Sequence, residues 1–300
     1  MDLSGFTNYY QKGIYPKYEK VYVVGDIHGD LKAFLYALRL ANVIDRKLNW
    51  VGGNTHIVQI GDIFDRKSRV ESDNDEDSEF KICALILKLQ YQSYKAGGGF
   101  HSVLGNHELM NVMGIYDYVS NEGMNHFKKN NSNRNEYFKV GSPFSKYLAC
   151  TWNPIVKIGD IIFCHGGITP KIAQKYKISE INMLMRDYLY GNKSHESKSY
   201  FKELFLGSDS VLWNRDFSIN DHNNIYRNNI KVKEVLNKYN AKYMVIGHTI
   251  QSNGIINRYD GSVWNVDTGM SEAFGTRKNP KERIQILFFE NGKPRIVKYL

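Results

Sequence analysis

Five short apolar runs in this 300-residue chain each stop at a motif built from glycine and an acid, amide or imidazole side chain. Val21–Val24 leads into Gly25-Asp26-Ile27-His28-Gly29, Ile57–Ile60 into Gly61-Asp62-Ile63-Phe64-Asp65-Arg66, and Phe100–Leu104 into Gly105-Asn106-His107-Glu108. Ile161–Cys164 leads into His165-Gly166-Gly167, and Tyr243–Ile246 into Gly247-His248-Thr249. Runs this short, rich in β-branched and aromatic residues, read as buried strands. Helical patterns lie between them. Asp30 can cap a helix over 31–41, and Phe80, Ala84, Leu87 and Tyr91 recur at helical spacing over 79–95 before Gly97. Strands alternating with helices argue for α/β layering. Carboxyl ends of neighbouring strands in an open sheet converge on one crevice, so the motifs should meet in one place.

The tail differs from this pattern. Trp264–Asp267 and Ile284–Glu290 read as strands, with Asn291-Gly292 as a tight turn into Arg295–Tyr299. Residues 109–150 and 171–230, rich in Asn and Tyr with short helical stretches, are expected as helical or loop cap insertions on a single catalytic domain spanning 1–300. The acidic segment Glu71–Glu79 reads as a solvated loop leading into the next helix; it lacks the glycine turn of a Ca²⁺ loop.

Composition narrows the class. The formal charge is +9, from 40 Lys+Arg against 31 Asp+Glu, which suits an anionic substrate. Nucleic acid is not the expected partner, because the lysines are scattered and no RRM, zinc-finger or helix-turn-helix signature is present. Cys83, Cys150 and Cys164 show no C-x-x-C spacing, pointing to a reducing compartment. No signal peptide and no apolar stretch of membrane-spanning length is read, so a cytoplasmic protein is expected.

Carboxylate and imidazole ligands without thiolate suit Mn²⁺ first, with Fe or Zn²⁺ as alternatives. Asp62, central in chain order, is the natural carboxylate to bridge two cations. Two cations about 3.5–4 Å apart lower the pKa of a shared water and clamp a phosphoryl oxygen. Charge then grows on the departing oxygen, which calls for a general acid; His107 is the candidate, with Asp65 orienting it. Arg66 offers a planar bidentate donor for phosphate. Any one of these motifs alone is a turn with a capping residue. Five in order at strand ends carry the argument. His56 and His101, at strand beginnings with no motif, read as structural, and Cys164 as a buried strand residue rather than a nucleophile.

The motif set resembles that of the calcineurin-like metallophosphoesterases, in particular the phosphoprotein phosphatases, with GDxHG, GDxxDRG, GNHE, HGG and a late His. The resemblance spans residues 21–271. It implies a β-sandwich of two mixed sheets flanked by helices, with the metal site at strand carboxyl ends, in place of a plain doubly wound sheet. It implies that Asp26, His28 and Asp62 hold a first metal and that Asp62, Asn106, His165 and His248 hold a second. It also implies that His107 and Asp65 form the acid pair and that Arg66 grips phosphate. Val211-Leu212-Trp213-Asn214-Arg215 is similar to a W-x-R segment of bacterial and Shewanella-like members, which would add Arg215 to the phosphate site. Asp267-Thr268-Gly269-Met270-Ser271 resembles the closing segment of that same branch, and the S-A-P-N-Y loop of the main eukaryotic enzymes is missing. The family's D-R-G is Asp65-Arg66-Lys67 here. Glycine there tolerates a backbone conformation unfavourable to lysine, so either the turn differs or Lys67 is accommodated and adds charge at the mouth.

These features lead to a metal-dependent phosphoprotein phosphatase attacking phosphoserine and phosphothreonine monoesters through a hydroxide shared by two metals, with a phosphorylated protein as substrate. Phosphotyrosine and dinucleoside polyphosphates stand as alternatives on the same site, and a non-catalytic or nucleic-acid-binding protein is the remoter one. The oligomeric state is left open.

Overall fold

The computed structural model describes residues 12–70, 75–219, 225–275 and 280–299. The start of the chain, on which the leader reading rests, and residues 71–74 of the acidic segment lie outside them. Among the described residues, twelve strands form the framework. They are β1 Ile14–Tyr15, β2 Lys20–Val24, β3 His56–Gln59, β4 Gly99–Val103, β5 Trp152–Asn153 and β6 Ile155–Ile158. They continue as β7 Ile161–Cys164, β8 Tyr243–Ile246, β9 Ile256–Arg258, β10 Val263–Asn265, β11 Gln285–Glu290 and β12 Lys293–Lys298.

Two six-stranded mixed sheets result, in the orders β1-β6-β7-β8-β10-β9 and β12-β11-β2-β3-β4-β5. Strands β2 to β5 run parallel, and β11 joins β2 antiparallel. In the other sheet β7, β8 and β10 run parallel while β6 and β9 flank them antiparallel. The motif strands are therefore divided, three in one sheet and two in the other. The open-sheet picture suggested by strand–helix alternation is corrected to a sandwich, and the five motifs meet because the sheets face each other.

Side-chain alternation shows why. Val21, Val23, Val58, Ile60, Val103, Leu287 and Phe289 of one sheet point into one apolar layer with Val156, Ile158, Ile161, Phe163 and Val245 from the opposite sheet. Their neighbours Val24, Ile57, Phe100, Ile162, Cys164, Met244 and Ile246 join the cores under the helices. Both faces of each motif strand are thus apolar, and burying each large side chain contributes about 1.5–3 kcal/mol. Helix α1, Leu31–Leu40, begins where the Asp30 carboxylate accepts the Ala33 N–H at 2.8 Å. Helix α2, Glu79–Lys95, crosses from β3 to β4, and α3, Asn106–Val112, starts inside the third motif.

The segments expected as helical or loop cap insertions contain packed helices. Helices at Asn121–Lys129, Arg134–Phe138 and Pro143–Thr151 bring Phe127, Phe138 and Phe144 into the main core. Phe138 and Phe144 meet Phe64 at ring-centroid distances of 5.1 and 5.9 Å. Further on, Ile178–Tyr190 and Ile225–Lys238 are helical, and Tyr188, Phe201 and Phe205 are buried. No helix among the described residues is long and apolar enough to cross a membrane.

Candidate metal centre

Strand ends and tight turns assemble this site, and the turns are unusual. His28, Asp62, Asp65 and His248 adopt left-handed φ values of 43°, 52°, 73° and 65°. Such conformations are unfavourable for residues with a Cβ, and they turn each side chain inward directly after its strand. Close backbone approach does the rest. A Cβ on Gly105 would lie 2.2 Å from Asp62 Oδ1, and one on Gly247 would lie 2.3 Å from Asp26 Oδ1, so only glycine fits at either position.

Two groups of buried donors share Asp62. His28, Asp62 and His107 form one, and Asp62, His165 and His248 the other, with the donor atoms of each group within 4.8 Å of one another. Asp62 Oδ2 lies 3.1 Å from His165 Nε2, 3.7 Å from His28 Nε2 and 3.8 Å from His107 Nε2. Asn106 Oδ1 lies 2.9 Å from His165 Nε2. Asp26 accepts the His248 N–H at 2.9 Å through Oδ2. The six expected ligands are thus brought to one crevice. His107 stands in the tight trio with His28 and Asp62, where Asp26 was expected.

The donor set fits a pair of divalent cations. Asp26 Oδ1 and His248 Nε2 are buried with no hydrogen-bond partner, an expensive arrangement unless a ligand occupies them. Burial and then the neighbouring Asp267 carboxylate drive the Asp26 pKa well up. At His165 burial works downward, but Asp62 and Asp26 overcome it and lift the imidazole to about 10. Burial, reinforced by His107, pushes His28 down to about 3, and burial with His165 pushes His248 down to about 2, keeping both in the neutral form that ligates metals. The second ring nitrogens are fixed by backbone: His28 Nδ1 lies 3.1 Å from Phe64 O and His165 Nδ1 2.8 Å from Ile60 O.

His107 Nδ1 lies 2.6 Å from Asp65 Oδ2. Burial opposes charge on His107, but Asp62 and Asp65 outweigh it and raise its pKa. Behind the pair, residues not singled out from the sequence complete the site. Asn111 donates to Asp65 Oδ1 at 2.8 Å, and Arg134 donates to Asn111 and to Glu79. Glu108 accepts the backbone N–H groups of Gly105, Asp62 and Ile63. For Glu108 its place within Gly-Asn-His-Glu was the available signal; Arg134 sits in the Asn-rich stretch and carried none.

Arg66 is buried, with one guanidinium nitrogen 3.7 Å from Asp30 and 4.0 Å from Glu272. Asp30, expected only as a helix cap, also accepts the Glu272 N–H at 2.8 Å and so ties the closing segment to α1. Arg215 is exposed at the rim, donating to His248 O and Thr249 Oγ1, both at 2.8 Å. Lys67 does not take a left-handed φ, so no glycine is required there; its Nζ reaches Asp117 O at 2.9 Å. His56, at the start of β3, and His101, in the middle of β4 rather than at its beginning, bond to each other at 3.0 Å. Cys164 is buried, and burial raises its pKa.

Comparison with known proteins agrees with this geometry. The family model for calcineurin-like phosphoesterases matches residues 19–252. Shewanella-like protein phosphatase 1 of Plasmodium berghei (strain Anka) is 32% identical over 269 residues, spanning 88% of this chain and 71% of that protein. Shewanella-like protein phosphatase 2 of Arabidopsis thaliana is 26% identical, spanning 86% and 73%. Among solved structures, the cold-active protein-tyrosine phosphatase of a psychrophilic Shewanella species superposes with a TM-score of 0.78 at 24% identity, covering 96% of this chain and 83% of that one.

Proposed function

Because this chain belongs to the calcineurin-like phosphoesterase family of metal-dependent phosphoesterases, we propose that it dephosphorylates proteins, with phosphotyrosine as its preferred residue. This reverses the order expected from the motifs alone, which placed phosphoserine and phosphothreonine first.

One observation carries the choice: aromatic rings surround the histidines of the site. Tyr118 lies edge-on to His107 at 5.1 Å, Phe274 to His28 at 5.1 Å and Trp213 to His248 at 5.8 Å. The Arg69 guanidinium sits 4.9 Å from the Tyr118 ring and 5.4 Å from Phe274. An aryl ester can rest its ring against these faces and gain about 0.5–1.5 kcal/mol per contact, whereas a serine ester offers no such face. A structural neighbour named as a tyrosine phosphatase agrees with this reading.

In this reading Asp26, His28, Asp62, Asn106, His165 and His248 hold two cations, with Mn²⁺ as first choice. Bound there, they would polarise the phosphoryl oxygens and lower the pKa of the attacking water. His107 gives its Nε2 proton to the ester oxygen as the bond to phosphorus breaks, while Asp65 holds the opposite nitrogen and keeps the ring aimed. Arg215 at the rim and the Arg66 guanidinium orient the phosphate. The whole chain is read as one catalytic domain, with the helices of 109–150 and 171–219 packed into it.

The test is a turnover panel with Mn²⁺: phosphotyrosine, phosphoserine and phosphothreonine peptides beside a dinucleoside tetraphosphate. Phosphotyrosine should give the highest kcat/KM, and a Tyr118→Ala/Phe274→Ala double variant should lose most on that peptide. Faster turnover of the phosphoserine or phosphothreonine peptide would overturn the preference.

A further inference from the structure

We propose that Glu79, Asn111 and Arg134 form a buried positioning scaffold that aims the His107–Asp65 pair, so that proton donation to basic leaving groups depends on a guanidinium outside the cleft. The inference rests on the reading of His107 as the acid and adds residues that neither the motifs nor the family match assigns to the reaction.

Arg134 is 2% exposed and begins a short helix in the 109–150 segment. Two of its guanidinium nitrogens are hydrogen-bonded, and the third, Nη2, has only an ion-pair contact among the described residues. Nε donates to Asn111 Oδ1 at 2.7 Å, Nη1 to Glu79 Oε2 at 2.9 Å, and Nη2 lies 3.6 Å from Asp65 Oδ1. The partners in turn grip the pair itself. Asn111 Nδ2 donates to Asp65 Oδ1 at 2.8 Å and to the His107 carbonyl at 2.9 Å. Glu79 Oε1 accepts the Asp65 backbone N–H at 2.7 Å.

Asp65 is therefore fixed at its backbone by Glu79 and at one carboxylate oxygen by Asn111, with the Arg134 guanidinium in ion-pair range of that same oxygen. Its other oxygen is left for His107. This matters because Asp65 holds a left-handed φ of 73°, a conformation that persists only where its surroundings over-determine it. The scaffold is itself caged, with the guanidinium 4.9 Å from the Phe138 ring and 5.8 Å from Phe127. A buried ion pair contributes little net stability, because desolvation offsets the attraction. Its effect here is to fix Asn111. Arg134 accepts no hydrogen bonds, so it sets which end of the Asn111 amide faces it and leaves the NH₂ group for Asp65.

A residue that only supports the fold should lower turnover of every substrate alike. A residue that aims the acid should matter in proportion to how much the leaving oxygen needs a proton. The experiment measures kcat and KM of the full Mn²⁺-loaded chain on phenyl phosphate and on 2,4-dinitrophenyl phosphate, whose anion leaves unprotonated. Arg134→Met and Asn111→Leu should each lose about 10-fold or more in kcat on phenyl phosphate and several-fold less on the dinitrophenyl ester, with KM and bound metal unchanged. Arg134→Lys should recover part of the loss. Equal losses on the two esters would overturn the proposal. If Arg134→Met fails to fold, Asn111→Leu decides alone. His107→Asn serves as reference: if it discriminates between the esters and the scaffold variants do not, the scaffold proposal falls by itself. If His107→Asn does not discriminate, the acid assignment falls and the scaffold with it.

Discussion

The Glu108 carboxylate accepts the backbone N–H of Asp62 at 2.9 Å, so the residue shared by both donor groups is held from the start of α3. The same carboxylate takes the N–H groups of Ile63 and Gly105 at 2.8 and 2.7 Å. Two motifs distant in the chain are thereby locked together beneath the site. Glu108→Ala would strand these donors in a buried location at a cost of about 2–4 kcal/mol. Urea unfolding should show that loss, together with weaker metal retention; an unchanged midpoint would mean that the bonds do not brace the site.

His107→Asn removes the proposed proton donor while leaving the other donors around Asp62 in place. Turnover of a phosphotyrosine peptide should fall by at least about 10²-fold, with metal content close to wild type by elemental analysis. A rate near wild type would remove His107 from the mechanism.

The His56–His101 pair makes a pH prediction. Burial holds His56 down to about 4, and burial with His56 beside it holds His101 down to about 3. Tyr18 stacks on His56 at 3.5 Å, and Tyr15 packs on His101 at 4.4 Å. Both folded pKa values lie below the unfolded value of about 6.5, so the unfolded chain binds more protons between these limits. The pair's contribution to stability is complete above pH about 6.5 and declines as pH falls towards about 3. A His56→Asn/His101→Gln variant should show a flatter acid limb in urea midpoints measured across this window. A limb as steep as wild type would show that other groups dominate it.

Chelation should act on stability as well as rate. A ligand that binds only the folded state raises its melting temperature by mass action, and Asp26 Oδ1 and His248 Nε2 are buried without another partner. Thermal melts should shift down with chelator and recover with excess Mn²⁺. Identical melts would argue against a cation in this crevice.

Much of this was legible in the sequence, and the reasons are local. The runs before Gly25, Gly61, Gly105, His165 and Gly247 form strands within a residue of the expected bounds, because apolar side chains on both faces leave few alternatives. Helix α2 spans Glu79–Lys95 as its periodicity predicts. The division of the motif strands between two sheets was not visible in strand–helix alternation and came only through the family resemblance, since β6 to β7 is a hairpin whose partners are set by tertiary packing. The segment around Arg134 read only as short helical stretches without bounds, because its helices are short and bury isolated aromatics such as Phe127 and Phe138 rather than a continuous stripe. Arg66 carried a phosphate-binding expectation that took no account of Asp30 and Glu272, which lie 36 residues before it and 206 after it in the chain and meet it only in the fold.

The central claim is that Asp62 joins two cations held by the ends of strands from opposite sheets. Anomalous diffraction from Mn²⁺-loaded crystals tests it directly. The account predicts two peaks, both in contact with Asp62, one beside His28 and the other beside His165 and His248. A single peak, or peaks away from Asp62, would contradict it.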